Sequence, residues 1–156
     1  MIDRPLSEHA LAQRIQSLWK LLAGRHGEPH PPLVSKLHDA ARLFRCDIAV
    51  PGYGVGTTAT MTFDELWQRG RGGWQLSEYL YEYRREPGRS GRKAHHLHAV
   101  GGLGRAVHAH CEDPEPRHAH YRDVRITLLE AADDFARAEA SGELDCDRLL
   151  PLLPSA

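Results

Sequence analysis

The sequence predicts a mainly α fold: a single compact helical domain of five to seven helices over residues 1–156, with room for one small β-hairpin near residues 48–61. Three observations carry that expectation. Apolar residues recur at three- and four-residue spacing in several segments, the signature of an amphipathic helix. Glycine and proline separate those segments. No internal repeat or compositional break divides the chain.

The first helix is expected in SEHALAQRIQSLWKLLAG, where Leu11, Ile15, Leu18 and Leu22 form one stripe. Ser7 supplies a cap and Gly24 a stop. PPLVSKLHDAARLFRC repeats the pattern through Leu33, Leu37, Ala40 and Phe44. With the turn-rich RHGEPHP between them, the two segments read as an antiparallel helix pair.

The period then breaks. Ile48–Val50 and Thr57–Met61 flank the glycines of PGYGVGTT and read as the hairpin. In TFDELWQRG, Thr62 and Glu65 fit a capping box, and Met61 with Leu66 a hydrophobic staple, so a two-turn helix is expected up to Gly70. WQLSEYLYEYRRE follows as a helix on Leu76, Leu80 and Tyr83, stopped by Pro87-Gly88. GRSGRK reads as an exposed basic loop. YRDVRITLLEAADDFARAEASG is the last strong helix, on Ile126, Leu129, Ala132 and Phe135, with Gly142 as its stop. A short turn, DCDRLLPLLP, is expected to dock its leucines on the core.

Composition narrows the function classes. The net charge is −1, so no global field draws the chain to nucleic acid or membrane. The charge is unevenly spread. No acid lies between Glu86 and Glu112, whereas Asp123–Asp147 holds eight acids. Arginine outnumbers lysine 17 to 3, a bias that GC-rich bacterial coding explains. Three cysteines without a CxxC spacing argue against a disulfide framework and for a reducing compartment. No apolar run suits a signal peptide or a membrane span. The expectation is a cytoplasmic bacterial protein.

Two regions carry candidate function. The first is aromatic and basic: Trp67, Arg71, Trp74, Tyr79, Tyr81, Arg84, Arg85, Arg89 and Arg92. Interleaved aromatic and arginine residues make protein-binding hot spots, and they can also stack on bases. Glu78, Glu82 and Glu86 would repel phosphate, which favours a protein partner over nucleic acid. The second is HHLHAVGGLGRAVHAHCEDPEPRHAHY, with seven histidines in 27 residues. His96, His98, His108, His110, His118 and His120 are candidate ligands for zinc or another divalent transition metal, because a His-x-His pair on a strand projects both imidazoles to one face. In a helical reading, Gly101, Gly102 and Gly104 would each cost about 1 kcal/mol relative to Ala.

Other motifs are weaker. PGYGVGTT lacks the Gly-Lys-Ser/Thr of a phosphate loop. RHGE, at Arg25–Glu28, resembles a histidine-phosphatase signature but follows a helix rather than a strand. Arg105-Ala-Val-His-Ala-His110 resembles the Arg-x4-His of helical HEPN-type ribonucleases. That resemblance implies His110 as general acid or base and Arg105 as a phosphate stabiliser. Ala106 departs from the polar residue usual there, and Arg25–His30 has the same spacing.

The leading expectation is therefore a non-enzymatic interaction or regulatory module, binding or inhibitory. It would use the aromatic-arginine helix and the adjoining histidine-rich stretch on a protein partner. A metal-binding protein or metal-dependent enzyme built on the His-x-His pairs is the alternative. A nucleic-acid binder or metal-independent ribonuclease centred on Arg105 and His110 is the third.

Overall fold

The computed structural model describes residues 4–26, 33–51, 58–86, 91–100, 104–112, 120–122 and 125–146. Among the described residues two helices bracket seven strands: α1 (Glu8–His26), β1 (Leu33–His38), β2 (Ala41–Pro51), β3 (Thr58–Gly70), β4 (Gly73–Glu86), β5 (Arg92–Val100), β6 (Gly104–Glu112), β7 (His120–Arg122) and α2 (Leu128–Ser141). The strands form one antiparallel sheet in the order β1-β2-β3-β4-β5-β6-β7. The expected helical domain is therefore corrected to a β-meander with two helices.

The physical reason is period. In β3 the side chains of Ala59, Met61, Phe63, Glu65 and Trp67 are all buried, every second residue. Along β4, Ser77, Tyr79, Tyr81 and Tyr83 are buried, while Glu78, Leu80 and Glu82 face the other way and are only half-buried. That alternation is a strand buried on one face. The Leu76, Leu80 and Tyr83 spacing that suggested a helix mixes residues from both faces. Thr62 caps nothing; its hydroxyl donates to Asp47 Oδ1 at 2.8 Å across β2 and β3. The strand pairing expected near 48–61 is present, with Ile48 opposite Met61, but it belongs to two much longer strands, joined from Ala41↔Gln68 to Pro51↔Thr58. The expected second helix is β1, a tight turn, and β2.

α1 and α2 occupy segments where helices were expected. The Ser7 side chain accepts from Ala10 N at 3.1 Å, capping α1, which runs two residues past Gly24 to His26. α2 starts on a capping box between Thr127 and Glu130 and ends at Gly142, whose φ of 74° suits glycine. Both helices lie on one face of the sheet, α1 against β2 and β4 and α2 against β3 and β4. Leu11, Ile15, Leu18 and Leu22 of α1 are buried there. Phe135 of α2 meets Phe63, Tyr83 and His95 with ring centroids 5.8–6.0 Å apart.

Three polar anchors tie the helices and termini down. Glu65, fully buried, accepts from Trp67 Nε1 at 3.0 Å, the Tyr81 hydroxyl at 2.8 Å and Arg14 of α1 at 3.2 Å. Lys93 on β5 meets Asp134 of α2 at 2.7 Å and donates to the Asp145 carbonyl at 2.6 Å. Leu6 pairs with Trp74 through two 2.8 Å backbone bonds. Gly73 permits that approach: at φ 125° it has no Cβ, which would lie 2.5 Å from the Leu6 carbonyl oxygen.

Cys111 and Cys146 are joined in a disulfide, contrary to the expectation from cysteine count, and Cys46 is free and buried. No described helix is long and apolar enough to cross a membrane. Residues 147–156, with the expected docking leucines, lie outside the described residues.

Candidate metal centre

The sequences RKAHHLHAV and GRAVHAHCE form β5 and β6, neighbours joined through residues 101–103. Alternation decides what each presents. Lys93, His95 and Leu97 face the helices, paired with Cys111, Ala109 and Val107. Ala94, His96 and His98 face the opposite, open side. The register sets His96 directly across from His108, His110 across from Ala94, and His98 across from Ala106.

Four imidazoles therefore meet on the open face. Ring centroids of His96 and His108 are 4.8 Å apart, those of His96 and His110 5.1 Å, those of His108 and His110 4.9 Å, and those of His98 and His108 4.8 Å. One ligand nitrogen from each of His96, His108 and His110 lies within 4.8 Å of the other two. A tetrahedral ion with nitrogens at about 2.0–2.1 Å separates its ligands by about 3.4 Å. To hold such an ion the three nitrogens would have to draw together by up to about 1.4 Å.

The electrostatics suit a cation's ligands. Burial lowers the His96 pKa to about 3, helped by His108, His110 and Arg92. Burial also lowers His108, with His110 and His98 adding to it. His110 is lowered by burial and then by Arg92, against an opposing pull from Glu112. The three imidazoles are thus neutral near pH 7 and offer lone pairs. His96 Nε2 is buried and has no hydrogen-bond partner among the described residues. Arg92 closes one end of the cluster, held by Glu82 at 2.6 Å and Glu112 at 3.3 Å.

Of the six candidate histidines, the structure brings four together. His118 lies outside the described residues. His120 is on β7, paired with Ala109, one step from the position beside His108. The aromatic set is not a surface. Trp67, Trp74, Tyr79 and Tyr81 are at most 4% exposed. Their polar atoms are used internally: Trp74 Nε1 donates to Glu8 at 2.6 Å, and the Tyr79 hydroxyl accepts from Ile126 N at 3.3 Å. Arg71 is exposed in the β3–β4 turn, and Arg84 is exposed beside Glu82. Arg85 donates to Tyr83 and to the Ala138 carbonyl on the helix side. Arg89 lies outside the described residues. Arg105 and His110 are on a strand, so the helical arrangement implied by the ribonuclease resemblance is not formed. The glycines of PGYGVGTT lie outside the described residues.

Sequence reading passed over Glu78 and Leu80, which flank the cluster on β4. The signal was present in EYLYEY: with the tyrosines inward, the residues that alternate with them lie on the face of the histidines. None of the family models, curated proteins or solved structures compared with this chain matches it.

Proposed function

We propose that this chain is a metal-binding protein that holds one divalent transition ion through His96, His108 and His110. The observation that carries this reading is the convergence of three imidazole nitrogens within 4.8 Å from two paired strands. Imidazole suits zinc, copper, nickel and iron more than magnesium or calcium, which prefer oxygen. Three protein ligands leave a position open, as at zinc sites that bind or activate a further ligand. His98 packs against His108 and orients its ring.

The aromatic side chains of the interaction reading are in the core, although Arg71 and Arg84 stay exposed, and the helix of the ribonuclease reading is a strand. The histidine cluster keeps its geometry, which is why the metal reading is preferred. The test uses untagged protein, dialysed against zinc and then against buffer. Elemental analysis should return about one zinc per chain, and chelator should lower the melting temperature. No retained metal and an unchanged melting temperature would sink the proposal.

A further inference from the structure

Beside the histidine cluster, the open face carries a groove of about 300 Å³. Leu37, Leu43, Leu66 and Leu80 supply its apolar walls, and Glu78 and His98 its polar end. Leu37 is 55% exposed, so water covers apolar surface here that a ligand could cover instead. A volume of this size is at the small end of ordinary ligand pockets.

Two residues join the groove to the cluster. His98 lines the groove and touches the His108 ring at 4.8 Å between centroids. Leu80 lines the groove and is the β4 register partner of His96. A ligand tail in the groove therefore starts one strand away from the imidazoles.

Charge selects the head group. Three neutral imidazoles leave a divalent ion its full double charge. Asp64, at the groove, is already neutralised by two Arg45 bonds of 2.6 and 2.8 Å. The ion's positive charge is therefore left for the ligand's head group to balance. We infer that the groove and the metal's open position together bind a small monocarboxylate with an apolar tail, carboxylate on the ion and tail among the leucines. This inference rests on the metal reading.

The experiment titrates octanoate into zinc-loaded protein by calorimetry, with acetate as the control that lacks a tail. Octanoate should bind one per chain and at least about 30-fold more tightly than acetate, since each buried methylene contributes about fourfold. Stripping the zinc should weaken octanoate at least about tenfold. Leu80→Glu and Leu43→Glu, made in parallel on different strands, should keep the zinc and lose the preference for octanoate. Retained zinc with octanoate and acetate binding alike, or octanoate indifferent to zinc, overturns the ligand inference alone. Failure to retain zinc overturns the metal reading and this inference with it.

Discussion

His96 and His108 face each other across β5 and β6 with their rings 4.8 Å apart and 12° from parallel. In an antiparallel sheet, directly opposed side chains are the closest cross-strand neighbours. Two imidazoles in that position, one buried and one half-buried, cannot both carry a proton cheaply, because each positive charge would repel the other. A metal ion would resolve the conflict by taking the lone pairs that protons would otherwise occupy.

The first prediction follows from that pairing. His108→Ala removes the ligand that neighbours all three other imidazoles. Zinc affinity should fall at least about a hundredfold, beyond the loss typical of an outer-sphere partner. The circular dichroism of the metal-free protein should stay unchanged, since His108 anchors no helix. Competition with a chromophoric chelator measures the affinity. Wild-type affinity in this variant would remove His108 from the site.

The second prediction concerns alkaline pH. Tyr83 is pushed up to about 12, first by burial and then by its hydrogen bond to Glu139. Tyr81 is raised well above the usual range, by burial first and then by Glu65. An unfolded tyrosine titrates near pH 10. Above that pH the unfolded chain has lost phenolic protons that the native state keeps. Their stabilisation is therefore complete below about pH 10 and is lost as pH rises toward about 12. Urea midpoints measured from about pH 8 upward should be level and then fall past about pH 10. Tyr83→Phe should make that fall shallower, and an equal slope in the variant would show that Tyr83 does not contribute.

The part of the fold legible in the sequence was the part with local signals. α1 and α2 combine a 3.6-residue stripe with chemical ends, Ser7 for one and Thr127, Glu130 and Gly142 for the other. The strands hid because their buried faces include polar atoms. Glu65 sits mid-face in β3 and interrupts what would otherwise read as alternating apolar residues. Among the described residues its charge is met by Arg14, Trp67 and Tyr81, which are distant in sequence or come into reach on a strand. In β4, tyrosines at every second position were outweighed by leucines spaced four apart. The histidines were legible as residues, and their convergence was not. It depends on the register His96↔His108, which a helical or unpaired segment would not produce. Gly101, Gly102 and Gly104, costly in a helix, fall where β5 gives way to β6.

The third prediction concerns the disulfide. Cys111 and Cys146 are 35 residues apart in sequence and link β6 to the segment after α2. Closing a loop of that length removes unfolded-state entropy worth about 4 kcal/mol in the chain-entropy account. Reduction, or Cys111→Ser with Cys146→Ser, should lower the urea midpoint accordingly. Cys46 should not react in the native state, because burial and then Asp47 push its thiol up to about 11. Mass spectrometry after iodoacetamide should show an unmodified folded protein and one label after unfolding without reductant. Rapid labelling of the folded protein would contradict the burial of Cys46.

The fourth prediction separates the worth of a buried charge from the cost of orphaning it. Lys93 and Asp134 are 1% and 3% exposed and lie 2.7 Å apart, with His95 Nε2 3.6 Å from the same carboxylate oxygen. Lys93→Met removes the cation and leaves Asp134 charged against α2 and β5. Breaking a buried pair in this way costs about 3–5 kcal/mol. Lys93→Met with Asp134→Leu removes both charges and fills similar space, so most of that loss should return. The Asp145 carbonyl loses its 2.6 Å bond from Lys93 in both variants, which should hold the double variant somewhat below wild type. Urea unfolding of the three proteins forms the comparison. A double variant as unstable as the single one would mean that the pair is needed for its hydrogen bonds to the segment after α2, rather than for mutual neutralisation.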